Sequence, residues 1–171
     1  MLDEAVYIYD DGEREAEVSR LRAFFMGLGA DFKVVNVTED EAARQLVAKW
    51  ADNASAAFPI VRIGEKIRAV FFNATPDMLA PAYAPGVGAA LTGQPVTVYS
   101  AGWCPDCRHL ESYLDDAGAT YDKIDIERIA GAPEQIIEWS GGRRVVPTVK
   151  IGAAALLFNP GPQALGRLLG F

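Results

Sequence analysis

Cysteine and histidine are scarce in this chain: two of the first and one of the second in 171 residues. Cys104, Cys107 and His109 therefore fall short of the four ligands of a structural zinc site, because a second ligand pair is missing. No metal-ligating residues are expected. Two thiols also exclude a framework of structural disulfides, since they can form one bridge at most. Positive charge is in short supply too, with 16 Lys and Arg against 23 Asp and Glu and a net charge of −7. That balance argues against nucleic acid or an anionic membrane surface as a main partner. No apolar run reaches the ~18 residues that span a bilayer. Met1-Leu2-Asp3-Glu4 is acidic where a secretory signal carries a basic region, so a cytoplasmic location is expected. In that compartment a vicinal cysteine pair points to catalysis more than to structural support.

What is present is an ordinary globular composition, 50% hydrophobic and 23% charged, long enough for one medium domain or two small ones. The chain also repeats itself. Val6-Tyr7-Ile8-Tyr9 answers Val96-Thr97-Val98-Tyr99, and Val34-Val35-Asn36-Val37 answers Lys123-Ile124-Asp125-Ile126. Helical patterns follow at Glu41 to Trp50 and Pro133 to Trp139. Phe58-Pro59-Ile60-Val61-Arg62-Ile63-Gly64 then matches Val146-Pro147-Thr148-Val149-Lys150-Ile151-Gly152. Each half reads strand–helix–strand–helix–strand–strand–helix. The first two strands of such a unit run parallel with a right-handed crossover. The last two form a hairpin through Gly64-Glu65 or Gly152-Ala153. The expected division is residues 1–82, a linker at 83–94 containing Tyr83-Ala84-Pro85-Gly86-Val87-Gly88, and residues 95–171. A partly helical stretch is expected over Ala80 to Leu91.

Chemistry concentrates in Trp103-Cys104-Pro105-Asp106-Cys107, between a strand and a helix. A thiol at a helix N-terminus meets backbone N–H groups and the positive end of the dipole, which stabilise a thiolate. Cys104, nearer the helix end and solvent, is the expected nucleophile, and Cys107 the resolving thiol. Pro105 suits the first helical turn and restrains the loop between the thiols. Asp106 opposes thiolate formation while Arg108 and the dipole favour it. Val146-Pro147 opens a strand; a cis bond there would turn the Val146 backbone toward the thiols, where an extended substrate could pair. Arg143 and Arg144 are placed to face an anionic thiol or partner, Trp103 to flank the thiol, and His109 to lie on the surface. The first half carries Asp10-Asp11-Gly12-Glu13-Arg14-Glu15-Ala16-Glu17 where the repeat calls for thiols. Carboxylates cannot exchange disulfides, and acids at a helix start complement its dipole. Phe58-Pro59 keeps the proline position.

These residues carry a resemblance. From about Pro95 to Phe171 the chain resembles a glutaredoxin of the thioredoxin superfamily. The match rests on Trp103-Cys104-Pro105-Asp106-Cys107-Arg108, Gly141-Gly142-Arg143-Arg144-Val145-Val146-Pro147-Thr148 and the final Leu169-Gly170-Phe171, which are similar to the mycoredoxin-like branch. The resemblance implies an α/β fold of two tandem thioredoxin-like domains, each a four-stranded mixed sheet with helices on both faces. The first would be redox-silent. The second would be a dithiol oxidoreductase acting on mixed or protein disulfides, with Cys104 and Cys107 catalytic. Trp103, Pro105, Arg144, Val146 and Pro147 would form its substrate-binding set, Pro147 being the cis-proline. Partners would be a disulfide-bearing protein or small-thiol mixed disulfide, with a reductase or thiol as electron donor and no bound cofactor. Glutathione-binding relatives have Gly-Gly-x-Asp after the fourth strand, whereas this chain has Asn159-Pro160-Gly161-Pro162. Glutathione, another low-molecular-weight thiol or a flavoprotein reductase thus remain alternatives. Two rival classes are a non-enzymatic interaction or redox-sensing protein and an iron–sulfur carrier, the latter disfavoured because Cys107 competes for Cys104.

Overall fold

Val96-Thr97-Val98-Tyr99-Ser100 alternates buried and half-buried side chains, the period-two pattern of a strand that presses one face into a core. The strands Ala69–Phe71 and Ala155–Phe158 are instead buried throughout. The computed structural model describes residues 4–51, 57–83 and 90–171. The first set of elements is β1 (Val6–Asp10), α1 (Glu15–Gly27), β2 (Phe32–Asn36), α2 (Glu41–Trp50), β3 (Ile60–Ile63), β4 (Ala69–Phe71) and α3 (Pro76–Tyr83). The second is β5 (Val96–Ser100), α4 (Pro105–Asp116), β6 (Asp122–Asp125), α5 (Ala132–Trp139), β7 (Thr148–Ile151), β8 (Ala155–Phe158) and α6 (Pro162–Leu169). β1 and β2 run parallel, as do β5 and β6, while β3–β4 and β7–β8 are antiparallel hairpins. Helix α3 includes Ala80 to Tyr83 of the stretch expected to be partly helical, and Ala90 and Leu91 are not helical. Residues 84–89 of the expected linker lie outside the described residues.

One expectation is corrected. The strands do not form two four-stranded sheets but one sheet of eight, in the order β2-β1-β3-β4-β8-β7-β5-β6. The join is the antiparallel pair β4–β8, with Ala69 opposite Leu157, Val70 opposite Leu156 and Phe71 opposite Ala155. The cause is composition. All three residues of β4 and all four of β8 are apolar and buried, so each strand satisfies its backbone and covers its side chains best against the other.

Helices cover both faces of this sheet. On one face a continuous core runs through both halves, joining Leu21 and Phe25 of α1, Leu79 of α3, Leu110 and Leu114 of α4 and Leu165 of α6 over Ile8, Phe71, Val98 and Leu157. Arg167 Nε also donates to the Pro81 carbonyl across that face, at 3.1 Å. On the other face Trp50 of α2 and Trp139 of α5 share a cluster with Val70 and Leu156, the residues that alternate with the first set. Trp50 Nε1 donates to the Trp139 carbonyl at 2.8 Å. Helix α2 starts where the sequence pattern predicts because Asp40 caps it, accepting from the Ala43 N–H at 3.0 Å.

Candidate functional site

The site lies at the ends of β5, α4 and the loop leading into β7. Strand β5 ends at Ser100, Ala101 to Trp103 turn the chain, and Cys104 becomes the N-cap of α4. Its sulfur accepts from the Cys107 N–H at 3.1 Å, satisfying one of the orphan donors of the helix start. Pro105 follows in the first turn, where a missing N–H costs no hydrogen bond. Cys104 and Cys107 are bonded as a disulfide with their Cα atoms 5.3 Å apart, so in this state neither sulfur titrates. They sit against Ala101, Ile126, Ala132 and Ile136, a small apolar cluster under the redox loop. Cys104 is barely more open than Cys107, 3% against 0% exposed, although the sequence reading places it nearer solvent. Ala101 and Val146 pack with the oxidised pair.

The Val146–Pro147 peptide is cis, and the Val146 carbonyl oxygen lies 3.7 Å from Cys104 Sγ. Pro147 is buried, Val146 half-buried. Trp103 is 58% exposed beside the disulfide, its Nε1 donating to Glu127 Oε1 at 3.0 Å. Pro105, after Cys104, and Arg144, in the loop before Pro147, are exposed. Arg143 departs from the expected role. Its guanidinium donates to the Lys66 carbonyl and, at 3.0 Å, to the Ile67 carbonyl of the first half, so it is not directed at a substrate. Arg108 reaches back to the Gly102 carbonyl at 3.0 Å and holds the turn before Cys104. His109 is exposed.

Some neighbours of the site carry no sequence signal. Asn159, left-handed at φ 51°, donates its N–H to the Pro147 carbonyl at 2.8 Å and its Nδ2 to Asp106 Oδ2 at 3.5 Å. It thus ties the proline loop to the residue between the two thiols. Ser100 donates to Glu111 Oε1 at 2.5 Å, and Lys123 to Glu111 Oε2 at 2.6 Å, bracing β5, β6 and α4 against one another. Asn159 opens the run Asn159-Pro160-Gly161-Pro162 noted in the sequence, but its bonds to Pro147 and Asp106 are not legible there.

The first half presents the matching place without thiols. Phe58–Pro59 is also cis, and Asn73, left-handed at φ 47°, follows β4 as Asn159 follows β8. Asp10 is buried at the end of β1, with its Oδ1 lacking a hydrogen-bond partner among the described residues. Burial pushes the neighbouring Tyr9 phenol up to about 12, so it stays protonated at neutral pH. A cavity of about 610 Å³ lies elsewhere, on the face of Trp50, Phe72, Tyr99 and Leu156, and neither cysteine lines it. Among the described residues no group of three or more His, Cys, Asp or Glu could hold a metal ion, and no helix is long and apolar enough to cross a membrane.

Comparison with known proteins bears on the second half. The family model described as Glutaredoxin matches residues 96–154. Mycoredoxin 1 of Corynebacterium glutamicum is 40% identical over 65 residues, which cover 38% of this chain and 80% of that protein. Among solved structures, a glutaredoxin of Archaeoglobus fulgidus is 25% identical, with a TM-score of 0.37 over 44% of this chain and 86% of that one. A buckwheat glutaredoxin–glutathione complex is 25% identical, with a TM-score of 0.34 over 40% of this chain and 64% of that one.

Proposed function

Because this chain belongs to the glutaredoxin family, we propose that it is a thiol–disulfide oxidoreductase working by a dithiol mechanism. The observation that carries the reading is the Cys104–Cys107 disulfide at the start of α4, within 3.7 Å of the Val146 carbonyl. In the reduced chain the Cys104 thiolate attacks a substrate disulfide R–S–S–R′, forming Cys104–S–S–R and releasing R′S⁻. Cys107 gives up its proton and attacks the Cys104 sulfur, releasing RS⁻ and closing the Cys104–Cys107 bond. Two electrons pass from the dithiol to the substrate. Two molecules of a low-molecular-weight thiol, leaving as their disulfide, or a reductase then return two electrons to the chain. The helix start favours the thiolate in the first step, since the Cys107 N–H already points at the Cys104 sulfur.

Trp103, Pro105, Arg144, Val146 and Pro147 are proposed to bind the substrate. The half-buried Val146 backbone is the edge on which an extended peptide would lie, and exposed Trp103 supplies an apolar wall. Arg144 remains the cation for an anionic thiol. The substrate is proposed to be a protein disulfide or a small-thiol mixed disulfide in the cytoplasm. The molecule is read as two thioredoxin-like domains, residues 1–82 and 95–171 joined by 83–94, with the first lacking redox chemistry. That reading is supported by the same order of elements in each half and by the two cis-proline loops.

The test is a Cys107→Ser chain offered a panel of mixed disulfides that differ in their small thiol. The expected result is a stable adduct on Cys104, seen by mass spectrometry, with the best co-substrate giving the fastest release. A chain that accumulates no adduct with any member of the panel would overturn the dithiol reading.

A further inference from the structure

We propose that the first half acts as a brace for the substrate loop of the second, with Arg143 as its positioning residue. The proposal rests on the reading that Arg144, Val146 and Pro147 meet the substrate. The segment between α5 and β7, residues 140–147, has no helix or strand of its own, and Gly141 and Gly142 are both left-handed, at φ 71° and 96°. Such a stretch has much conformational freedom to lose. Its own half holds it through Ser140 Oγ, which accepts from the Arg143 N–H at 3.1 Å and donates to the Arg143 carbonyl, and through Thr148 Oγ1, which donates to the Val145 carbonyl at 2.8 Å. The Gly142 N–H also bonds the Ile137 carbonyl at 2.7 Å, and the Asn159 N–H the Pro147 carbonyl at 2.8 Å.

Further ties come from the other half. Arg143 Nη2 bonds the Ile67 carbonyl at 3.0 Å and the Lys66 carbonyl beside it, in the turn between β3 and β4. Gly141 stands so close to Ile67 that a Cβ on it would lie 3.0 Å from Ile67 Cδ1. Trp50 Nε1 holds the Trp139 carbonyl at the end of α5. Val145, one residue before Val146, packs on the cluster of Trp50, Ile67 and Val70. Hydrogen bonds, close packing and apolar burial therefore hold the stretch from Trp139 to Val145 to the half that has no thiols. The distance between Val146 and Cys104 is set in part by residues some 80 positions away in sequence, Lys66 and Ile67 being 77 and 76 residues from Arg143. The two carbonyls occupy Arg143 Nη2 and turn its guanidinium toward the first half.

The test compares Arg143→Ala and Trp50→Phe with the unsubstituted full chain on two probes. One is a mixed disulfide between glutathione and a cysteine in an extended peptide; the other is 2-hydroxyethyl disulfide, which has no backbone to pair. For Arg143→Ala, loss of a charge-assisted pair of hydrogen bonds should raise KM for the peptide probe about tenfold. Its rate with 2-hydroxyethyl disulfide should stay within about twofold. Amide exchange at Gly142, Val145 and Val146 should accelerate while β7 is unchanged. Arg143→Lys, with one donor direction instead of a fork, should fall between. Trp50→Phe keeps a ring and loses only the N–H, so about threefold on KM is expected, and it carries the test if Arg143→Ala does not fold. Equal losses on both probes, or unchanged KM and exchange, would overturn the brace. If the unsubstituted chain turned over neither probe, the catalytic reading would fail while the exchange measurement still decided the brace.

Discussion

The helices that follow the first strand of each half, α1 and α4, start in opposite chemical ways. Helix α4 is capped by a cysteine sulfur, Cys104, which accepts the Cys107 N–H. Helix α1 has Arg14 at its N-cap position, which makes no side-chain cap, and carries Glu15 and Glu17 in its first turn. The turn before it is closed by Asp11, whose Oδ1 accepts from Glu13 N–H at 3.2 Å and whose Oδ2 pairs with Arg14 at 3.6 Å. Around both starts the frame is alike, with a parallel strand pair, a cis-proline loop and a left-handed asparagine after the hairpin. The difference teaches that the frame needs no thiol to form. Acids that complement the dipole serve the fold at one start, and thiols that exploit the same N–H groups serve redox chemistry at the other.

Three measurements would break or sharpen that contrast. The largest effect is expected from Cys104→Ser, which should cut reduction of any mixed disulfide by at least about a thousandfold. Activity left above that floor would mean that Cys107, the one remaining thiol, can act as a nucleophile by itself. Next, Phe71→Ala in the first half removes a ring that is fully buried in the core shared with α4 and α6. It should cost about 3–5 kcal/mol, and should lower the unfolding midpoint of the redox half with that of its own, in one transition. Two separate denaturant transitions would instead make the halves independent. The smallest effect belongs to Asp106→Asn. Removing a carboxylate beside the nucleophile favours its thiolate, so alkylation of Cys104 in the reduced chain at pH 7 should quicken about twofold, less at high salt. A slower reaction would show that Asp106 acts mainly through its contact with Asn159.

Much of this was legible from residues because the signals are local. The Cys104–Cys107 spacing, the proline after Val146 and the glycine-linked hairpins each describe a few neighbouring positions, and the structure brings Val146 and Cys104 together. Helix α2 was legible to its ends, since Asp40 caps it and Ala43, Val47 and Trp50 share one buried face. The join of β4 to β8 was not. A short apolar strand announces that it is buried but says nothing of which strand lies beside it. Arg143 was misread for a related reason. Its partners are backbone carbonyls of Lys66 and Ile67, and a carbonyl leaves no trace in the identity of its residue.

The β4–β8 pair has a consequence for the chain's behaviour outside the folded state. Ala69-Val70-Phe71 and Ala155-Leu156-Leu157-Phe158 hold no charge and no proline, the devices by which proteins keep exposed strand margins from recruiting copies of themselves. The outer strands that remain, β2 and β6, do carry charge, in Lys33, Asp122, Lys123 and Asp125. Separating the halves would therefore uncover two sticky margins where the whole chain shows two guarded ones, and either fragment alone should self-associate through the margin it lost.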